Sequence, residues 1–237
     1  MRHSLNASVV LSLALASACG KVESIEVDAP PSVDPDASTS IDAPLPIDAP
    51  PVDAPIDAAP VKRVFISSAT FFPDFGGTTQ ADTACQNMAT AAGLSGTYRA
   101  WVSTTASPVN ARFTQSTDPY VMVDGTMIAA NWADLTDGTI AHGIDRTEAG
   151  NLLPNTGISN CHGSPTCFQT YTGTNPDGSA YANDDQCLNW TTRIFDAGGG
   201  NLNTFSGGDS TYSGREWTIR AAGFRCDYQA RIYCFQQ

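Results

Sequence analysis

The stretch "ADTACQNMATAAGLSGTYRAWVST", residues 81–104, predicts a helix followed by a strand. Residues 79–82 have the Thr-x-x-Asp pattern of a capping box, which places the start of the helix there. The apolar residues after it recur at helical spacing and form one stripe. The stripe consists of Ala81, Cys85, Met88, Ala89 and Ala92. Gly93 predicts the end of the helix, and residues 98–103 predict the strand.

Short strands are also predicted on both sides of this stretch. Residues 64–66 are apolar and predict a first strand, and residues 120–128 predict a hairpin with Asp124-Gly125 at its turn. Residues 131–135 predict a second short helix, and residues 217–219 and 231–235 predict two later strands. Few helices, short strands and long loops that carry cysteines predict an α+β fold.

Residues 1–18 have the pattern of a secretion signal. Arg2 gives the segment a basic start, and residues 9–18 are nearly all apolar or small. A helix needs about 20 apolar residues to span a bilayer, so this run is too short to be a transmembrane helix. No later stretch is long and apolar enough for one, so we expect the exported chain to contain no membrane span.

The end of this signal, Leu15-Ala16-Ser17-Ala18-Cys19-Gly20, resembles the lipobox of bacterial lipoproteins. The resemblance implies that Cys19 becomes the lipidated N-terminus, with acyl chains such as palmitate that anchor the protein to a membrane. Because Gly20 replaces the Asp often linked to inner-membrane retention, it also implies the cell outer membrane. The alternative is ordinary signal cleavage near Ala18, which leaves Cys19 unmodified.

The seven cysteines of the chain are an odd number. If Cys19 carries lipid, an even set remains, and an oxidising compartment favours disulfide bonds among its members. This set consists of Cys85, Cys161, Cys167, Cys187, Cys226 and Cys234.

Residues 19–61 predict a lipidated cysteine followed by a disordered tether that repeats Asp-Ala-Pro. Residues 21–61 contain nine acidic side chains against Lys21 alone. Proline and like-charge repulsion favour an extended chain, so the segment predicts a spacer; the alternative is a recognition segment for a proline-binding partner.

Residues 62–237 predict one domain, which is also net acidic. The formal charge of −12 argues against nucleic acid as a partner.

The domain resembles endostatin, the C-terminal domain of certain collagens, and the endostatin-like domains of bacterial surface lipoproteins. The resemblance rests on residues 81–104, "PYVMVDGTMIAANWADL" (119–135), "GTNPDG" (173–178), "CLNW" (187–190) and "CDYQARIYCF" (226–235). It implies a variant of the C-type-lectin-like fold. It also implies the nested disulfides Cys85–Cys234 and Cys187–Cys226, which leave Cys161 and Cys167 for a local bridge.

Two ligand sites of endostatin do not carry over to this sequence. Residues 62–65 lack the histidines of its zinc site, and Gly125 stands where its acidic ligand is expected. Arg99 matches one of its heparin-binding arginines, but the net acidic domain argues against heparin.

Oxygen-bearing side chains precede Cys187, near where lectin-like folds hold their ligand loop. They are Asn175, Asp177, Asn183, Asp184 and Asp185. They predict either a ligand or calcium loop or a plain turn, because the same residue types serve both. Cys161, His162 and Cys167 have the spacing of a metal knuckle, although an exported chain more often joins such cysteines by a disulfide.

The sequence contains no catalytic motif that we can identify. A triad of a serine, His142 and Asp145 has no supporting local signature. The four tryptophans are expected in the core, and the arginines are expected to be solvated or ion-paired. We therefore predict a non-enzymatic binding module for an extracellular protein or glycan. The alternatives are a hydrolase of envelope polymers that uses His142 or His162 as a base, and a structural envelope protein.

Overall fold

The structure is a computed structural model that describes residues 60–153, 169–182, 186–195 and 203–237. The predicted signal, Cys19 and nearly all of the predicted tether lie outside the described residues, and so do Cys161, His162 and Cys167. Residues 183–185, which are Asn183, Asp184 and Asp185 of the predicted ligand loop, also lie outside them. Within the described ranges, no helix is long and apolar enough to cross a membrane.

The described chain has few helices and many short strands, which confirms the α+β class. The strands are β1 (Lys62–Ile66), β2 (Tyr98–Ala100), β3 (Tyr120–Met122), β4 (Met127–Ala129), β5 (Gln169–Tyr171), β6 (Thr204–Asp209), β7 (Ala221–Arg225) and β8 (Arg231–Gln236). The helices are α1 (Thr78–Ala91), α2 (Val109–Arg112) and α3 (Trp132–Leu135). The predicted first strand, hairpin, second helix and last strand are confirmed.

The last strand, β8, lies in the middle of the sheet. The strand order is β4-β3-β1-β8-β5-β6-β7, and β2 also pairs with β8. Cys234 of β8 lies opposite Phe65 of β1 and also opposite Ala100 of β2, both in antiparallel register. Because one residue has a partner in each strand, β1 and β2 lie on opposite edges of β8. β5 runs parallel to the start of β8, with Thr170 opposite Arg231.

Both faces of the central strands are buried, since alternate residues of a strand point to opposite faces of the sheet. On one face, β1 and β8 contribute to a core that includes Trp101 and Trp217. On the other face, they contribute to a core that α1 covers with Ala81, Cys85 and Ala89. Met88 is only partly buried and Ala92 is exposed, so the apolar stripe of α1 is narrower than the sequence predicts.

The predicted capping box at the start of α1 is wrong. The N-cap residue is Gly77, which makes no side-chain capping bond. Asp82 instead accepts a hydrogen bond from the backbone N–H of Ala100 at 2.9 Å, and it forms an ion pair with Arg112. The carboxylate therefore ties α1 to β2 and α2 rather than closing the helix end.

The predicted end of α1 at Gly93 is confirmed. Gly93 has φ +73°, in the left-handed region that glycine adopts without steric cost. Its N–H donates to the carbonyl oxygen of Thr90, and the N–H of Leu94 donates to that of Ala89. These two bonds form a Schellman motif, which satisfies the last carbonyl groups of the helix.

The predicted strand at residues 217–219 is wrong. Residues Arg215–Trp217 form a 3-10 turn, and the carbonyl oxygen of Trp217 accepts a hydrogen bond from the Tyr233 hydroxyl at 3.0 Å. Trp217 and Ile219 are buried, so this apolar run reflects core packing and not strand pairing.

Candidate ligand-binding surface

Asn175 and Asp177, the described members of the predicted ligand loop, form a turn. Asp177 Oδ1 accepts a hydrogen bond from the N–H of Ser179 at 2.9 Å, and the Asn175 amide donates to Ser179 Oγ and to the carbonyl oxygen of Ala180. These local bonds fix the backbone of the turn. Among the described residues, no three His, Cys, Asp or Glu side chains come together as metal ligands.

Two disulfides join distant parts of the described chain. Cys85 in α1 is bonded to Cys234 in β8, and Cys187 is bonded to Cys226, which follows β7. These are the two pairs that the endostatin resemblance implies. The second bond anchors the segment Gln186–Trp190, from which the candidate surface is built.

Residues Gln186–Trp190 form a turn of left-handed backbone. All five residues have positive φ, from 51° at Gln186 to 64° at Trp190. Such a conformation costs about 1–2 kcal/mol for each L-residue, and none of the five is glycine. The turn therefore needs support from the rest of the domain.

That support comes from buried side chains at both ends of the turn. The indole Nε1 of Trp190 donates to the carbonyl oxygen of Ser103 at 2.9 Å. The amide of Gln186 donates to Ser206 Oγ at 3.1 Å and accepts from the Ser206 N–H at 3.2 Å. Gly76 also donates its N–H to the carbonyl oxygen of Trp190 at 2.9 Å.

The turn and the residues after it expose large apolar side chains. Leu188 is 50% exposed and Ile194 is 66% exposed. Arg193 and Phe195 flank Ile194 in the chain, and the Cys187–Cys226 bond joins the neighbour of Leu188 to the neighbour of Arg225. We call this region the turn surface, and it consists of Phe72, Leu188, Arg193, Ile194, Phe195, Arg225 and Tyr228.

Stacked guanidinium groups hold the aromatic rings of the turn surface. Arg193 lies 5.2 Å from the ring centroid of Phe72. Arg225 lies 4.2 Å from that of Phe195 and 5.3 Å from that of Tyr228. The side-chain hydrogen bond from Arg225 to Asp227 raises the pKa of the guanidinium, so Arg225 remains cationic.

Two of the segments that form the turn surface meet at the hydroxyl of Tyr171. This oxygen lies 2.9 Å from the carbonyl oxygen of Phe71 and 2.6 Å from that of Tyr228. Burial raises the pKa of Tyr171 well above its usual value, so the hydroxyl stays protonated and able to donate. The loop that carries Phe72 is thereby held against the turn that carries Tyr228.

The arginines that the sequence singles out are mostly paired. Arg99, Arg193, Arg220 and Arg225 each lie within 4.0 Å of an aspartate carboxylate. Arg231 is buried, and its guanidinium donates to the carbonyl oxygens of Ser67 and Ser68. Ion pairing confirms the expectation for the first four arginines, whereas the burial of Arg231 against backbone carbonyl groups does not fit it. Three tryptophans, Trp101, Trp190 and Trp217, are fully buried, as expected for core residues.

His142 and Asp145 lie in the loop that follows α3. His142 Nδ1 is 3.0 Å from the carbonyl oxygen of Gly143, and Asp145 Oδ1 accepts a bond from Arg146 at 3.1 Å. In the described part of the chain, no hydrogen bond joins His142 to Asp145 or to a serine. Both residues line a cleft together with Ser210.

Sequence reasoning did not find the turn surface. The aromatic residues Phe72, Phe195 and Tyr228 are far apart in the chain. Their rings stack on Arg193 and Arg225 only in the folded domain. The one available signal was the repeated proximity of arginine to aromatic residues, at residues 193–195 and 224–228. That signal is weak, because such side chains are also common on ordinary strand surfaces.

A comparison with models of known protein families finds no match, and a comparison with curated protein sequences finds none either. The endostatin resemblance therefore stays a prediction that rests on the quoted residues.

Proposed function

We propose that the chain is a bacterial envelope lipoprotein whose endostatin-like domain, a variant of the C-type-lectin-like fold, binds an extracellular ligand without catalysis. The predicted order of lipidated Cys19, acidic tether and cysteine-bearing domain supports this proposal. If the roughly 40-residue tether is fully extended, at about 3.1 Å per residue, it reaches on the order of 100 Å from the membrane. We propose the outer membrane as its location.

The observation that carries the proposal is the turn surface. Its exposed Leu188 and Ile194 are displayed by a turn that costs conformational energy and is held by a disulfide and buried hydrogen bonds. Unfavourable backbone conformations persist where the surrounding structure fixes them, and they concentrate at ligand-binding sites. The surface is therefore preorganised, which lowers the entropic cost of binding.

The chemistry of the turn surface favours a protein over a glycan. Aromatic side chains and arginine are the residue types most enriched at protein interfaces. Sugar rings stack on open aromatic faces, whereas guanidinium groups already cover one face of Phe72 and of Phe195. The exposed aliphatic side chains of Leu188 and Ile194 suit apolar side chains of a partner protein.

The experiment displays the full-length lipoprotein on liposomes and screens it against arrays of purified extracellular proteins and glycans. For any protein that binds, Ile194→Asp is expected to weaken affinity at least tenfold, because it places a charge in the apolar part of the contact. The matched control is Met127→Asp on β4, another half-exposed apolar residue, which is expected to leave affinity unchanged.

A second matched pair tests the arginines. Arg225→Ala removes the guanidinium that stacks on Phe195 and Tyr228, whereas Arg215→Ala removes an exposed arginine of the 3-10 turn. We expect only the first to weaken binding. The proposal fails if no array component binds while the protein turns over a substrate, or if deletion of the gene disturbs the envelope and no ligand is found.

A further inference from the structure

The structure contains a second candidate site, a cleft of about 260 Å³ on a different part of the domain. It is lined by His142, Gly143, Asp145, Leu152, Leu153, Ser210 and Thr211. β6 separates it from the turn surface, because Thr204 at the start of β6 pairs with Arg225 whereas Ser210 follows the end of β6. A six-residue strand spans about 20 Å, so the two sites do not overlap.

One residue of the cleft lining, Ser210, has a side-chain hydroxyl whose hydrogen-bonding capacity is unused. Ser210 is fully buried, and its Oγ has no hydrogen-bond partner among the residues that the structure describes. A buried hydroxyl in that state destabilises a fold, so native proteins retain such groups rarely. The backbone of Ser210 also packs closely against Gly143, another residue of the cleft lining. A Cβ atom added at Gly143 would lie 2.5 Å from the carbonyl oxygen of Ser210.

The other side chains of the cleft determine which ligand it suits. The Asp145 carboxylate and the His142 imidazole offer hydrogen-bonding groups, and Leu152 and Leu153 provide an apolar wall. Asp145 is ion-paired with Arg146, and Arg146 is ion-paired with Asp124. Arg146 is thus shared between two carboxylates, and the described residues of the lining include no arginine or lysine, so an anionic ligand would find no unpaired cation there.

We propose that the cleft is a binding site for one neutral, hydroxyl-rich ring of monosaccharide size, with Ser210 as a hydrogen-bonding partner of a ligand hydroxyl. The volume equals that of roughly nine waters, which is too small for a longer oligosaccharide. Ring hydroxyls match the imidazole, the carboxylate and the serine, and the apolar edge of a sugar ring matches the leucines. Ser210 Oγ is closed off from water, so binding requires a rotation of its side chain.

The experiment uses the full-length lipidated protein in detergent micelles with a panel of neutral methyl hexosides and methyl N-acetylhexosaminides. Ligand-observed NMR and calorimetric titration report binding. Ser210→Ala is expected to weaken the affinity for a bound glycoside about five- to tenfold, as expected for one lost hydrogen bond. The same variant is expected to unfold at an equal or higher temperature than the wild type, because it removes an unpaired buried hydroxyl.

The matched control is Thr147→Val, which removes a second buried hydroxyl without a partner in the described chain and away from the cleft lining. It is expected to leave glycoside affinity unchanged. Ile194→Asp is also expected to leave it unchanged, so this proposal and the proposed protein ligand can fail separately. Three outcomes would overturn the proposal: no glycoside binds, Ser210→Ala binds as the wild type does, or the protein cleaves the glycosides in a reaction that requires His142.

Discussion

The indole of Trp190 donates a hydrogen bond to the carbonyl oxygen of Ser103, across 2.9 Å and between segments 87 residues apart. Ser103 is itself fixed, since its N–H donates to the carbonyl oxygen of Thr172 and its Oγ accepts from the N–H of Val109. The left-handed turn is thus attached to a rigid part of the core. This attachment explains how five residues without glycine retain a costly backbone conformation.

Replacing Trp190 with Phe tests this attachment. Trp190→Phe removes the buried hydrogen bond and leaves the carbonyl oxygen of Ser103 without this donor. Trp217→Phe is the matched control, because Trp217 is equally buried but its Nε1 has no partner in the described chain. Trp190→Phe is expected to reduce the free energy of unfolding by about 1–2 kcal/mol more than Trp217→Phe in urea titrations. Equal losses would contradict the role assigned to the hydrogen bond.

Elements set by local sequence could be predicted from the sequence, and contacts set by tertiary structure could not. The end of α1 at Gly93 and the Asp124-Gly125 hairpin depend on residues that adopt special backbone angles locally. The capping pattern at Asp82 was misleading because its carboxylate forms an ion pair with Arg112, a residue remote in sequence, and does not cap the helix. Propensity and short motifs do not report such competition.

The left-handed turn is the clearest case of a feature that sequence reasoning could not reach. Among residues 186–190 only Asn189 has a side chain that tolerates positive φ, and nothing in "QCLNW" indicates a run of five. The conformation depends on the Cys187–Cys226 bond and on contacts from Gly76 and Ser103, which are remote in sequence. The turn surface was missed for the same reason.

Leu188→Asn is expected to stabilise the domain and weaken the binding of a protein ligand. Asn adopts the left-handed region more readily than Leu, and Leu188 is half-exposed, so relief of the backbone cost should exceed the lost apolar contact. We expect a gain of about 0.5–1 kcal/mol in the free energy of unfolding. Leu152→Asn is the control, because Leu152 is similarly exposed but does not have positive φ. The prediction fails if Leu188→Asn destabilises the protein as much as Leu152→Asn does.

The two disulfides are expected to contribute unequally to stability. The Cys85–Cys234 bond joins residues with a sequence separation of 149, and the Cys187–Cys226 bond joins residues with a sequence separation of 39. In the chain-entropy model, the first stabilises by about 5 kcal/mol and the second by about 4 kcal/mol. Urea unfolding of the double variants Cys85→Ala/Cys234→Ala and Cys187→Ala/Cys226→Ala measures both.

The second double variant is also expected to release the left-handed turn and abolish ligand binding at the turn surface. A non-reducing peptide map checks the pairing directly. Any map in which Cys85 is linked to a cysteine other than Cys234 would contradict the architecture, since it would separate α1 from β8.

The hairpin turn at Asp124 is expected to weaken in acid. Asp124 Oδ1 accepts the N–H of Thr126 at 3.0 Å, and Oδ2 lies 2.6 Å from Arg146 Nε. The backbone hydrogen bond from Thr126, followed by the contacts with Arg146, lowers the pKa of Asp124 below its usual value of 3.8. Because the pKa is lower in the folded state, the stabilisation is present above pH 3.8 and is lost as the pH falls through the folded-state value.

Asp124→Asn is therefore expected to cost less than about 1 kcal/mol at pH 6, because the carboxylate is partly exposed, and to cost progressively less below pH 4. Urea titrations at pH 6, 4, 3 and 2 measure the difference between variant and wild type. Arg146→Gln is the control, since it removes the ion pairs with Asp124 and Asp145 but retains the hydrogen bond from Thr126 that contributes most to the lowered pKa of Asp124. A double variant that carries both changes should show no acid-dependent loss beyond that of Asp124→Asn. If Arg146→Gln alone abolishes the acid-dependent difference, the ion pair, and not the turn, is its source.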